Sequence, residues 1–126
     1  PSGPSRTRLH SLMMSATHLD TELLMKRFGG RGIARDVCRL YLEESPAVVA
    51  DYRKVDPTDL ESMGAAAHRL KGSLGMLGAD TLTELANDLE QACREGNDTV
   101  ALRLYKQLDT GLGGLRREVE MLAEAL

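Results

Sequence analysis

The strongest constraint on the fold of this chain is a set of apolar residues that recur with the period of an α-helix. Between residues 60 and 77 the apolar positions are spaced i, i+3, i+4 and i+7, which places them on one helix face. These positions are Leu60, Met63, Ala67, Leu70, Leu74 and Leu77. Similar stripes occur along most of the chain, and no segment alternates as a half-buried strand does. The pattern therefore predicts packed helices.

The first 15 residues are rich in Pro, Ser, Gly and Arg and are predicted to be a flexible linker or terminal segment, with the folded domain spanning residues 16–126. A short helix is expected next, because Thr17 and Asp20 resemble a capping box. It should end at Gly29 and Gly30, since glycine favours helix C-termini. Its inward positions are Leu19, Leu23, Leu24 and Phe28.

A second helix is predicted from about residue 32 to 54. Pro46 lies inside it and is expected to break or kink the helix, because a proline ring clashes with the carbonyl four residues earlier. The residues predicted to share its inner face are Ile33, Val37, Leu40, Tyr41, Val48 and Tyr52. A third helix is predicted over residues 57–77, with Asp56 or Thr58 as its cap.

Two more helices are predicted, over residues 80–95 and from residue 99 to the end. The fourth should bury Leu82, Leu85, Ala86, Leu89 and Cys93. The fifth should bury Ala101, Leu104, Leu108, Leu112, Leu115, Val119, Leu122 and Leu126. Gly111, Gly113 and Gly114 are expected to weaken or bend it. Short connections between amphipathic helices predict an all-α fold, an antiparallel up-and-down four-helix bundle with an additional short N-terminal helix.

Composition excludes several classes of function. A net charge of −3 argues against nucleic-acid binding, which normally needs a basic patch. Isolated histidines without metal-ligand spacing argue against a metal site. No apolar run is as long as a membrane span, so no direct membrane contact is expected. Cys38 and Cys93 are expected to be reduced thiols, as in a cytoplasmic protein.

His68 lies on the opposite side of the third helix from its apolar stripe, about 130° away, so its ring should be exposed. Its helical neighbours include Gly64, Gly72 and Gly75. Three interior glycines cost a helix roughly 3 kcal/mol relative to alanine. Access to the imidazole explains that cost better than stability does, because glycine lets a bulky partner come close. Lys71 places a positive charge beside the same ring.

These residues resemble the signature of the histidine phosphotransfer (HPt) domains of bacterial multistep phosphorelays. The resemblance rests on the sequences His68-Arg69-Leu70-Lys71-Gly72-Ser73, Leu77-Gly78-Ala79 and Leu89-Glu90, and on helix order from about residue 17 onward. It is closer to the HPt modules of hybrid sensor histidine kinases than to those of chemotaxis kinases.

The resemblance implies that His68 accepts a phosphoryl group from a receiver-domain aspartyl phosphate and passes it to the aspartate of a response regulator. The receiver would supply the magnesium ion, and this chain would bind no cofactor. Lys71 is expected to steady the phosphoryl oxygens, with Arg69 and Arg94 as further cations. Gly72, Gly75 and Gly64 would keep the ring accessible, and Glu90 would fix its tautomer. The expected partners are receiver domains of a hybrid kinase or a response regulator, bound by a cytoplasmic monomer.

Two alternatives stay open at this point. The chain could be a helical adaptor or dimerisation bundle that has the fold without the chemistry. It could also be the dimerising hairpin of a histidine kinase, although such hairpins carry a proline shortly after the histidine and this chain does not. Kinase activity is not expected of the chain itself, because it contains no phosphate-binding G-x-x-x-x-G-K-[ST] loop. A histidine kinase remains open as the parent protein.

Overall fold

The computed structural model describes residues 18, 19 and 21–126, which form five helices and no strand. The helices are α1 (Thr21–Arg27), α2 (Arg31–Arg53), α3 (Leu60–Leu77), α4 (Asp80–Arg94) and α5 (Asp98–Ala125). The predicted capping box, Thr17 with Asp20, and the predicted linker, residues 1–15, lie outside the described residues.

The four long helices form a closed ring in which α2 packs against α3, α3 against α4, α4 against α5, and α5 against α2. Because the connections between them are short, successive helices run antiparallel. The predicted all-α bundle with a short N-terminal helix is confirmed. Its core consists mainly of Leu and Ala side chains from all four helices, with Met63, Tyr41 and Tyr52 as the largest additions.

The short helix α1 lies against α2 and ends where the glycine pair predicts. Gly29 and Gly30 both have positive φ angles, of 74° and 145°, which side chains rarely adopt. Leu19 and Leu24 are buried as expected, but Leu23 is 41% exposed.

Helix α2 differs from its prediction in two respects. It continues through Pro46 from Arg31 to Arg53, so the expected break is wrong, and the alternative of a kink stays a prediction. Its inner face is also rotated, because Ile33 and Leu40 are exposed. The buried positions are the predicted Tyr41 and Tyr52, together with three that were not predicted, Ala34, Cys38 and Ser45. The rotated face brings Tyr52 to Tyr105 of α5; their rings stack, and each hydroxyl donates to the other residue's carbonyl at 2.9 Å.

The last helix is also continuous through its three glycines. The expected weakening or bend stays a prediction, but two of the glycines have a structural role as sites of close packing. A Cβ at Gly111 would lie 2.5 Å from Leu82 of α4, and one at Gly114 would lie 2.6 Å from the His18 ring. The His18 amide also donates to the Glu118 carboxylate of α5 at 3.0 Å. The glycines therefore let α4 and the N-terminal segment approach α5 closely.

Candidate functional site

The helix that carries His68 is fixed at both ends by local hydrogen bonds. The Asp59 carboxylate accepts from the Ser62 amide at 3.1 Å and caps the N-terminus, so the predicted caps Asp56 and Thr58 are wrong. Asp56 instead accepts from Thr58 and closes the turn before the helix. At the other end Gly78 adopts the left-handed conformation, with φ 72°, that terminates many helices.

The His68 side chain is 68% exposed, as the helical periodicity predicts. Its Nδ1 atom lies 3.0 Å from Oε2 of Glu90 on α4. Because a carboxylate can only accept, the neutral ring must carry its proton on Nδ1 to make this hydrogen bond. The lone pair of the neutral ring then lies on Nε2, the nitrogen that does not contact Glu90.

Glu90 is the centre of the polar network around the histidine. Its side chain is 13% exposed and contacts three donors: His68, the Lys71 ammonium at 2.6 Å and the Arg94 guanidinium at 3.0 Å. The close contact with the Lys71 ammonium is the main reason that the pKa of the Glu90 carboxyl lies below its usual value. The carboxylate is therefore ionised at neutral pH and able to hold the imidazole.

Lys71 bridges α3 and α4. Its ammonium binds Oε1 of Glu90 and lies 3.3 Å from Oδ1 of Asn87. The sequence analysis did not predict Asn87 as a site residue, because an asparagine on a helix surface does not by itself indicate phosphoryl-transfer chemistry. The available signal is its spacing, since residues three apart share a helix face and Asn87 precedes Glu90 by three positions.

The structure separates the three glycines near His68 into two kinds. A Cβ at Gly72 or Gly75 would meet nothing within 4 Å, so these positions lie open beside the ring. A Cβ at Gly64 would lie 3.2 Å from the Cβ of Cys93. Gly64 therefore serves the close packing of α3 against α4, a role that the sequence did not predict.

An open groove of about 640 Å³ lies on the Gly64 side of His68. Its surface is mainly apolar, and its lining combines Leu60, Gly64, Ala65 and Cys93 with the polar residues Glu61, His68, Arg69, Glu90 and Arg94. Every residue proposed from the sequence lies on α3 or α4, and three of them, Lys71, Gly72 and Gly75, do not line the groove. The arrangement offers a nucleophilic nitrogen next to exposed cations and an apolar depression.

The chain matches a known protein family. A family model described as Hpt domain matches residues 36–124, which include α3, α4 and most of the bundle. The chain belongs to the Hpt domain family. No curated protein and no solved structure matches it at the required significance.

Membership gives this Hpt domain a phosphotransfer role in a phosphorelay, as a phosphoryl carrier and not as a catalytic kinase domain. Hpt domains interact with the receiver domains of phosphorelay proteins, which confirms the expected class of partner. The resemblance inferred from the residues around His68 and Leu89-Glu90 is thereby confirmed at the level of the family.

Other features bear on what the Hpt domain can bind. Within residues 18–19 and 21–126, no three His, Cys, Asp or Glu side chains are grouped so that they could hold a metal ion. Cys38 and Cys93 are free thiols, the first buried and the second half-buried. Of the described helices, none combines the length and hydropathy that crossing a membrane requires.

Proposed function

We propose that His68 is the phosphoacceptor and that it carries a phosphoryl group between two receiver domains. The observation that carries this proposal is the exposed ring whose Nδ1 is bound to Glu90. This hydrogen bond supports the tautomer in which Nε2 has the lone pair, and Nε2 is then the nucleophile.

The transfer is a displacement at phosphorus. The Nε2 lone pair forms the N–P bond while the bond between phosphorus and the aspartyl oxygen breaks, and the aspartate leaves as a carboxylate. The ring gains positive charge as the bond forms. Glu90 stabilises that charge because its carboxylate faces the Nδ1 proton at 3.0 Å. The reverse sequence of bonds delivers the group to the aspartate of a response regulator.

The Hpt domain contributes steric access to His68, the orientation of the His68 ring and positive charge near it. Gly72 and Gly75 leave room for the partner, and the groove beside His68 provides a mainly apolar surface for it to contact. Arg69 and Arg94 line the groove with Glu61 and Glu90, and because Glu90 is already paired with Lys71 and Arg94, exposed Arg69 and Arg94 favour acidic groups around the receiver's phosphorylated aspartate. The magnesium ion that offsets the phosphoryl charge belongs to the receiver in this proposal, and the Hpt domain supplies no cofactor.

We further propose that the domain acts as a monomer in the cytoplasm and serves a hybrid sensor kinase or its response regulator. Two free cysteines suit a reducing compartment. The net charge of −3 supports a protein partner over a nucleic acid.

The test is the transfer of labelled phosphate from a phosphorylated receiver. We expect the wild-type chain to gain acid-labile, base-stable label from the receiver and none from ATP alone. His68→Gln should abolish the label, whereas His18→Gln, a matched control at a histidine packed against α5, should leave it unchanged. Equal labelling of the His68→Gln protein would refute the assignment, and no labelling of the wild type would favour the adaptor alternative.

A further inference from the structure

The two cations that contact Glu90 differ in how firmly they are held. Lys71 is 26% exposed, and its ammonium binds acceptors from two residues of α4, Glu90 and Asn87. Arg94 is 64% exposed, and among the described residues its hydrogen-bond partners are on its own helix, Glu90 at 3.0 Å and Gln91 at 3.1 Å. Polar contacts thus hold the Lys71 side chain between α3 and α4, whereas most of the Arg94 side chain is exposed to solvent.

The two oxygens of Glu90 have different tasks. Oε1 is bound by Lys71 at 2.6 Å, and Oε2 faces Nδ1 of His68. Because Lys71 holds the oxygen that the histidine does not use, it fixes the orientation of the carboxylate as a whole. Asn87 keeps the ammonium in that place from the other side. The Lys71 ammonium already directs two of its three donors to Glu90 and Asn87, so a move toward a phosphoryl group on Nε2 would loosen its hold on this carboxylate just as His68 gains charge.

Arg94 has the opposite properties. It shares Oε2 with the histidine, so its guanidinium is next to the imidazole, and it lines the groove. A guanidinium has five N–H donors. If Arg94 turns toward an incoming phosphoryl group, Glu90 remains held by Lys71 and the histidine keeps its partner.

We propose that Asn87 and Lys71 are positioning residues that act on His68 through Glu90, and that Arg94 is the cation that contacts the phosphoryl group. This inference rests on the proposed function of His68 and divides the roles of its neighbours. It assigns a role to Asn87 and gives Lys71 a different task from the direct phosphate contact that the sequence suggests.

The experiment measures two properties of each variant. The first is the tautomer of His68, read from the ¹⁵N shifts of its ring nitrogens in the unphosphorylated protein. The second is the rate of transfer from a saturating phosphorylated receiver. Lys71→Met and Asn87→Leu should lower the Nδ1–H fraction and slow transfer about tenfold, which corresponds to ~1.4 kcal/mol in the activation free energy. Lys71→Arg and Asn87→Asp, which keep a donor or an acceptor, should restore much of both.

Arg94→Met should slow transfer by a similar factor while leaving the tautomer unchanged. Arg103→Met is the matched control, because it removes an exposed arginine of α5 that does not line the groove, and it should change neither property. A Lys71→Met protein that is slow but keeps the wild-type tautomer would overturn the positioning role. An Arg94→Met protein that transfers at the wild-type rate would overturn the second half of the proposal.

The tautomer measurement also separates this inference from the proposed function. If the wild-type chain accepts no phosphoryl group, the function of His68 fails whatever the variants show. If the wild type is labelled but the Asn87 and Lys71 variants keep both tautomer and rate, only the division of roles fails.

Discussion

At the scale of single residues, some glycines near His68 leave its ring accessible to a partner, and another allows close packing between α3 and α4. From the sequence, Gly64, Gly72 and Gly75 form one set, because all three are helical neighbours of His68. The structure divides the set, since only a Cβ at Gly64 would contact another helix. A helical pattern shows which residues share a face, but it does not show which part of that face the next helix covers.

This division predicts different outcomes for two substitutions. Gly72→Leu should keep the fold and raise the free energy of unfolding by about 0.5–1 kcal/mol, because leucine is the better helix former. It should nevertheless slow phosphoryl transfer at least about tenfold, since the side chain would occupy the partner's space. Urea unfolding and the transfer assay measure the two effects.

Gly64→Leu is the control for Gly72→Leu. It should lower the free energy of unfolding, because the new side chain must push α3 away from Cys93, and overpacking typically costs about 1–3 kcal/mol. A Gly72→Leu protein with unchanged transfer would show that steric access is not the reason for that glycine.

At the scale of whole helices, propensity alone predicted a break or kink at Pro46 and a weak middle in α5, and packing keeps both helices continuous. Pro46 and the glycines of α5 are unfavourable inside helices, yet α2 and α5 are continuous. Each helix is held by burial along its length and by contacts such as the Tyr52–Tyr105 pair. Tertiary packing supplies most of the stability of a helix in a protein, so a few weak positions do not end it.

The glycines of α5 give a direct test of this view. Gly113→Ala should raise the free energy of unfolding by about 0.5–1 kcal/mol, because the nearest atom to its Cβ is 4.0 Å away and alanine favours the helix. Gly111→Ala should lower it instead, since its Cβ would overlap the buried Leu82 side chain. Denaturant unfolding of the two variants compares them directly. Equal stabilisation by both would mean that the contact with Leu82 is not tight.

At the scale of the whole molecule, the core buries groups that ionise only at alkaline pH. Burial raises the pKa of the Cys38 thiol from 9.0 to about 11, and burial also raises the pKa of Tyr41 and Tyr52. Each group is neutral when protonated, so the folded state keeps protons that the unfolded chain releases. The stability due to these neutral groups is complete below the pKa of the unfolded chain and is lost as the pH rises.

We therefore expect the free energy of unfolding to fall as the pH rises from about 9 to 11, where Cys38 ionises in the unfolded chain before it does in the folded one. Cys38→Ala should reduce this slope. The slope that remains between pH 9 and 10 comes from Cys93, whose thiol pKa burial also raises, and the buried tyrosines add to it above about pH 10. Urea unfolding at a series of pH values under reducing conditions measures both. A slope between pH 9 and 10 that is identical in wild type and Cys38→Ala would contradict the prediction.

The sequence by itself determined the number and order of the helices, the exposure of His68 and the family, because these depend on local periodicity and on a short motif. Only the tertiary structure decided which face of α2 is buried, which glycines serve packing, and that Asn87 and Glu90 both bind Lys71. The physical reason is that these contacts join residues distant in the chain. Their geometry is set by how two helices rotate and slide against each other, and the spacing within one helix does not contain it.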